Sequence, residues 1–294
     1  MTDLIALANA DAGSSTEAAT AEAVDVLRKR FDVEVVTTST PDDVRHELEA
    51  RTDVDTVVVL GGDGSLHAVV AALRDIGRLD SVTLGLVPLG TGNDYARSLD
   101  LPLEPAQAAQ VVLDGHVEQV DLVIDGDDKV VVNAAHIGIG AEAAAKAKPW
   151  KVLGKVGYGI GGLITGFTTH SARVEVYLDG EPLPARDKVL QVAVGNGRFV
   201  GGGAEILPKA DPTDGVLDVA VSYSVGVWKR LSYAWHLRRG EHPGRDDVVY
   251  RNCKSVEVRG EELRCTSDGE LTPPAPVHSW RIEPGALRML TPQS

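Results

Sequence analysis

Residues 61–65, Gly-Gly-Asp-Gly-Ser, follow the apolar run Val57–Leu60 without a break and precede a helical pattern through Leu66, Val69, Val70 and Leu73. Three glycines in four residues let backbone amides approach a ligand closely. A helix starting at Ser65 adds its unpaired N–H groups and positive dipole end. Gly61, Gly62, Gly64 and Ser65 are therefore read as a phosphate cradle. Asp63 does not suit a cradle alone, because a carboxylate aimed at phosphates is repelled unless a metal, a proton or a hydroxyl intervenes. A plain turn with Ser65 as N-cap accounts for the same five residues.

A second glycine turn, Pro88-Leu89-Gly90-Thr91-Gly92-Asn93-Asp94, follows the buried-type run Thr83–Val87. Two successive strands then carry glycine loops at their carboxyl ends, the edge of an open α/β sheet where ligands bind. Thr91, Asn93 and Asp94, beside Gly90, suit nucleotide and magnesium contacts; equally, Asn93 or Asp94 caps a helix over 95–99.

Together, GGDGS and PLGTGNDYARSL resemble the catalytic domain of the diacylglycerol kinase-like lipid kinases, especially the soluble bacterial ones, and more distantly sphingosine kinases. NAD kinases and ATP-dependent phosphofructokinases share the GGDG turn but not the second motif. The resemblance implies a magnesium-dependent transferase that moves the γ-phosphoryl group of ATP to a lipid hydroxyl, diacylglycerol being the first choice, as in phospholipid biosynthesis. It also implies an ATP domain and a β domain with the acceptor cleft between them.

The elements that must position these motifs follow from periodicity. Residues 4–8 read as a strand, 18–31 as an amphipathic helix, 33–37 as a strand and 42–51 as a helix behind Thr40-Pro41. With the two glycine-loop strands and a helix over 104–113, this succession predicts an open parallel, Rossmann-like α/β domain over 1–118. From residue 117 the punctuation changes to short β-type runs broken by Asp-Gly turns: 120–124, 130–133, 174–178, 190–194, 217–221 and 256–258. An antiparallel β-sandwich is expected over 119–285, and the resemblance implies that 286–294 returns to the first domain.

By motif position the resemblance assigns further residues. Asn9 and the Gly13-Ser14 pair match loosely an Asn-Pro-x-(Ser/Ala)-Gly turn, without the proline. Thr38 stands where the family has a threonine near the nucleotide. Residues 195–203, GNGRFVGGG, match a glycine stretch bordering the cleft. Asp211, Asp214 and the carbonyl of Val216 would be ligands of a structural magnesium, a hard-oxygen set, although the residues alone leave an Asp-Gly hairpin open. Ser267-Asp268-Gly269-Glu270 matches an Asp-Gly-Glu turn facing the GGDG loop. Glu270, with Asp268 beside it, would be the general base, and Asp63 would hold magnesium or assist proton transfer. One departure stands out: the family commonly has Thr-x-Asn-Glu after GGDG, whereas this chain has Ser65-Leu66-His67-Ala68, so a carboxylate is missing at Ala68.

Across 294 residues the formal net charge is −14, which argues against nucleic-acid binding and against long-range attraction to anionic membranes. Membrane contact must therefore be local. Residues 146–167 cluster Lys146, Lys148, Lys151 and Lys155 with Trp150 and Tyr158, the composition of an interfacial segment or of a packed helical hairpin. No stretch reaches the roughly 20 apolar residues of a span, and the start of the chain has no leader pattern. A cytoplasmic, transiently membrane-associated protein is expected. Cys253 and Cys265 read as reduced thiols facing each other across a hairpin near Gly260. Two alternatives stay open, a kinase of a small soluble acceptor and a nucleotide- or lipid-binding regulator without turnover; a homodimer is one option for assembly.

Overall fold

A computed structural model of the chain describes residues 4–10, 14–138, 171, 173–184, 188–223 and 226–293. The basic, glycine-rich stretch 146–167 lies outside the described residues, as does Gly13. The chain divides into two compact units. One comprises Met1–Leu122, Pro212–Asp214 and Glu283–Ser294, and the other Val123–Asp211 and Gly215–Ile282.

The first unit alternates strand and helix: β1 Leu4–Asn9, α1 Ser14–Leu27, β2 Val33–Thr38, α2 Pro41–Ala50, β3 Thr56–Gly61, α3 Asp63–Asp75, β4 Thr83–Pro88, α4 Asp94–Ser98 and α5 Pro105–Asp114, leading into β5 His116–Asp125. The strands β2-β1-β3-β4 pair in parallel in that order. All six residues of β4 are buried, and β3 is buried after Thr56, as strands covered on both faces must be. The core unites α1, α5 and the strands through Leu4, Leu27, Val58, Leu60, Val87 and Val112. Next to β4, Arg288 and Met289 of the returning segment pair in parallel with its Thr83 and Leu84. The returning segment is held by a bidentate Arg74–Glu283 pair (2.7 and 3.2 Å) and by the buried Asp121 carboxylate, which accepts the Gly285 amide at 2.8 Å.

The second unit is built from β6 Val130–Val131, β7 Ala134–Gly138, β8 Val174–Leu178, β9 Glu181–Pro182, β10 Gln191–Gly195, β11 Phe199–Val200, β12 Ala204–Glu205, β13 Leu217–Ser222, α6 Val227–Leu237, β14 Val248–Cys253, β15 Ser255–Leu263, β16 Cys265–Ser267, β17 Glu270–Leu271 and the long β18 Ala275–Thr291. One antiparallel sheet runs β14-β13-β10-β7-β16-β17. It packs on strands β15, β8 and the first part of β18 through Val192, Val194, Val219, Val221, Val256, Val258 and Trp280. Alternating buried residues from the two faces make this a sandwich.

Several expectations need correction. Helix α1 spans 14–27, so Phe31 lies beyond it and packs half-buried against the core. No hairpin turns at Gly260: β15 runs through it, and Cys253 and Cys265 are both buried free thiols. The helix after GGDG starts at Asp63, with Gly62 as N-cap and no side-chain cap, so Ser65 is already inside it. Helix α6 had no counterpart in the periodicity reading. Among the described residues no helix is long and apolar enough to cross a membrane.

Candidate active site

The two glycine motifs are one interlocked structure. Gly61 at the end of β3 accepts the Leu89 amide (2.9 Å) just after β4. Immediately beyond, the chains touch backbone to backbone. A Cβ on Gly90 would sit 2.6 Å from Gly62 Cα, and one on Gly62 would sit 2.9 Å from Gly90 Cα, so neither position admits a side chain. Asn93, in the left-handed region at φ 53°, holds the second loop from within: its Oδ1 accepts the Gly90 amide (2.9 Å) and its Nδ2 donates to Gly90 O (2.9 Å) and Pro88 O (3.3 Å).

Asp63 closes the clasp. Its Oδ1 accepts the Tyr95 amide at 3.0 Å and its Oδ2 the Asp94 amide at 3.1 Å, so its carboxylate caps the first turn of α4 from 31 residues away in sequence. The N-cap residue Asn93 makes no side-chain cap bond of its own. The repulsion expected of a carboxylate in a phosphate loop is thereby relieved, since the charge is turned towards amide donors. A Cβ on Gly92 would lie 3.1 Å from Asp63 Oδ2 and 3.3 Å from an Asp94 oxygen, so two carboxylates flank this glycine. By donor type they fit a hard divalent cation, although no group of three His, Cys, Asp or Glu converges as a metal site among the described residues. Thr91 sits at the exposed tip of the loop.

Beside the clasp lies a pocket of about 150 Å³. It is lined by Asn9 from β1, Thr38 from β2, and Gly64, Ser65 and Ala68 from α3. In the strand order β2-β1-β3 the connections diverge to opposite sides of β1, and the crevice at that switch point is where open α/β sheets take ligands. Asn9 and Thr38 are register partners, and Ala10 N–H donates to Thr38 O at 2.9 Å. The wall after β2 is fixed by a capping box: Thr40 Oγ1 accepts the Asp43 amide (3.1 Å), and Asp43 Oδ2 accepts the amides of Thr40 and Ser39 (2.9 and 3.0 Å). Those backbone donors hold the Asp43 carboxyl below its ordinary range. Ala68 faces this same space, so the residue where the family's glutamate is absent forms part of the pocket wall.

In the second unit, Asp268 and Gly269 (φ 46° and 85°) make the two-residue turn between β16 and β17, which pairs Ser267 with Glu270. The two carboxylates then part company. Asp268 receives the amides of Val132 (2.7 Å), Asn133 (2.9 Å) and Ala134 (3.2 Å), whereas the Glu270 side chain is exposed. Asn133 links this turn to the glycine stretch: its carbonyl accepts the amides of Asn196 and Gly197 (3.0 Å each) and its Nδ2 donates to Phe199 O (2.6 Å). The sequence reading passed over Asn133; its signal was a polar residue closing the apolar run Val130–Val132. Asp211 and Asp214 are exposed and Val216 is half-buried; the two carboxylates offer hard oxygens without a third acidic partner among the described residues.

Comparison with known proteins covers nearly the whole chain. Residues 3–124 match the family model of the diacylglycerol kinase catalytic domain, and residues 131–291 match that of the YegS C-terminal NAD kinase beta sandwich-like domain. A diacylglycerol kinase of Mycobacterium tuberculosis (strain CDC 1551 / Oshkosh) is 31% identical over 290 residues, covering 96% of this chain and 92% of that one. A "Probable lipid kinase YegS-like" of Xanthomonas campestris pv. campestris (strain 8004) is 38% identical over 285 residues, covering 91% and 89%. A crystal structure of a diacylglycerol kinase from Bacillus anthracis str. Sterne superposes with a TM-score of 0.74 at 23% identity, covering 99% of this chain and 97% of that one. A second crystal structure from that organism gives 0.81 at 26% identity, covering 99% and 95%.

Proposed function

Because the chain belongs to the diacylglycerol kinase-like lipid kinases, we propose that it transfers the γ-phosphoryl group of ATP to the hydroxyl of diacylglycerol. The observation that carries the donor half of this reading is the switch-point pocket. Asn9, Thr38 and Ser65 line it, and the first turn of the thirteen-residue helix α3 offers amides that no side chain caps. Such a helix start favours phosphate oxygens through its N–H groups and its dipole.

Each residue then has a task. Gly61, Gly62 and Gly64 bring the backbone close to the phosphates, and Gly90, Thr91, Asn93 and Asp94 fix the neighbouring loop. Asp63 holds the two loops in register. Glu270, whose carboxylate is exposed, accepts the proton of the lipid hydroxyl as it attacks the γ-phosphorus and the bond to ADP breaks. Asp268 positions Glu270 by tying their shared turn to the amides of residues 132–134. When bound, Mg2+ neutralises phosphate charge; Asp63 and Asp94 would hold it at the donor site, and Asp211, Asp214 and the Val216 carbonyl would hold a structural one. We place the enzyme in the cytoplasm, in transient contact with a membrane.

The test is product partition. The protein is incubated with γ-labelled ATP, Mg2+ and detergent micelles carrying diacylglycerol, another lipid alcohol or no lipid. Label in an organic-soluble product that requires diacylglycerol supports the reading. Label only in a water-soluble product points to a small soluble acceptor, and bound ATP without transfer to a regulator.

A further inference from the structure

Helix α6 carries apolar residues on two opposite faces, and only one of them serves the fold. Tyr233 and Leu237 point inward onto Leu190 and Val248, with the Tyr233 hydroxyl 3.1 Å from Gln191 Oε1. The helix is braced from the same side: the Arg245 guanidinium reaches Ser232 Oγ at 2.5 Å while pairing with Asp247 at 2.8 and 2.9 Å. On the other face, Val227, Trp228, Leu231 and Trp235 are spaced as one helical stripe and are 57%, 82%, 37% and 58% exposed. Two tryptophans on one stripe therefore leave most of their surface uncovered by the unit.

The charge beside this stripe is equally distinctive. Residues 226–240 hold Lys229, Arg230, Arg238 and Arg239 and no Asp or Glu, in a chain whose net charge is −14. The Arg239 guanidinium lies 4.5 Å over the Trp235 ring, a cation–π pair at the edge of the apolar stripe. An apolar stripe with tryptophans, flanked by basic side chains and rigidly mounted, has the composition of a helix that lies in the plane of an anionic membrane surface.

We propose that α6 is a membrane-docking element: Val227, Trp228, Leu231 and Trp235 insert at the headgroup boundary of an anionic bilayer, and Arg238 and Arg239 bind its phosphates. This rests on the lipid-kinase reading, in which the acceptor is reached at a membrane. It is distinct from the stretch 146–167 singled out by composition.

The experiment is co-sedimentation of the intact protein with phosphatidylcholine vesicles, with and without phosphatidylglycerol. The wild type is expected to bind the anionic vesicles. Trp228→Ser with Trp235→Ser should weaken that binding at least about tenfold, and Arg238→Glu with Arg239→Glu should remove the preference for anionic vesicles. Both double variants should phosphorylate diacylglycerol in detergent micelles at the wild-type rate. Equal vesicle binding by wild type and the tryptophan variant would overturn the proposal. So would light scattering that shows a wild-type dimer becoming a monomer in that variant, since the stripe would then be covered by a second copy. If the wild type phosphorylates no lipid in micelles while vesicle binding still depends on the tryptophans, the acceptor assignment fails and the docking surface stands.

Discussion

Asp63 Oδ1 accepts the backbone amide of Tyr95 at 3.0 Å, which joins the two glycine motifs through a charge-assisted hydrogen bond. The neighbouring Asp94 amide completes the pair at 3.1 Å. The aspartate of GGDG thus has a structural task whatever it contributes to chemistry: it sets the start of α4 against the start of α3.

Replacing Asp63 by Asn keeps one acceptor oxygen but turns an NH2 group towards the other amide. Asp63→Asn should therefore lose about 1.5–3 kcal/mol of stability, the scale of a hydrogen bond to a charged group, and weaken ATP binding with it. Urea denaturation and calorimetric ATP titration check this. Unchanged stability with lost turnover would confine Asp63 to the chemistry.

Ala68 forms part of the switch-point pocket. Ala68→Leu adds three carbons to a space of about 150 Å³ while leaving a good helix former in α3. ATP affinity should fall at least about tenfold, equivalent to roughly 1.4 kcal/mol, with an unchanged melting temperature. Normal ATP affinity in this variant would place the nucleotide elsewhere.

Glu270 and Asp268 separate by what they touch. Glu270→Gln should lower turnover at least about a hundredfold and leave the melting temperature alone, because its carboxylate is exposed. Asp268→Ala should lower stability by about 2 kcal/mol or more, because three amides lose their acceptor. Near-normal turnover in Glu270→Gln would remove it from the mechanism.

His242 gives the second unit a pH dependence. It is fully buried, its Nε2 is 3.0 Å from Ile206 O, and it stands edge-on to Tyr233 at 5.8 Å. Burial pushes its pKa from the usual 6.5 down to about 4, so folding favours the neutral ring. The contribution is complete above about 6.5 and is lost as pH falls towards about 4, because the unfolded chain takes up the proton first. Thermal melts across that interval should show His242→Gln with a flatter slope than the wild type; identical slopes would assign the acid sensitivity to other groups.

What was legible in the sequence was local. Buried runs such as Val57–Leu60 and the capping signal at Thr40-Pro41 placed the strands and helices of the first unit to within a few residues, and GGDGS marked the turn from β3 into α3. What escaped was set by distant partners. Asp63 finds its amides 31 residues on, and Asp268 finds Asn133 135 residues away, so neither pairing leaves a periodic trace. Helix α6 was hidden because Trp228 and Trp235 put apolar residues on its outer face as well, blurring the amphipathic pattern. Strand β18 runs to 17 residues although Pro276, Pro284 and Gly285 read as breakers. Residues 212–214 join the first unit without any compositional sign.

The most direct measurement is position-specific labelling: the protein is given diacylglycerol micelles and Mg2+ with either γ-labelled or α-labelled ATP, and the organic phase is counted. Label is expected in phosphatidic acid from γ-labelled ATP, with none from α-labelled ATP and none without diacylglycerol. No organic-phase label from γ-labelled ATP, under conditions where the protein binds ATP, would contradict it.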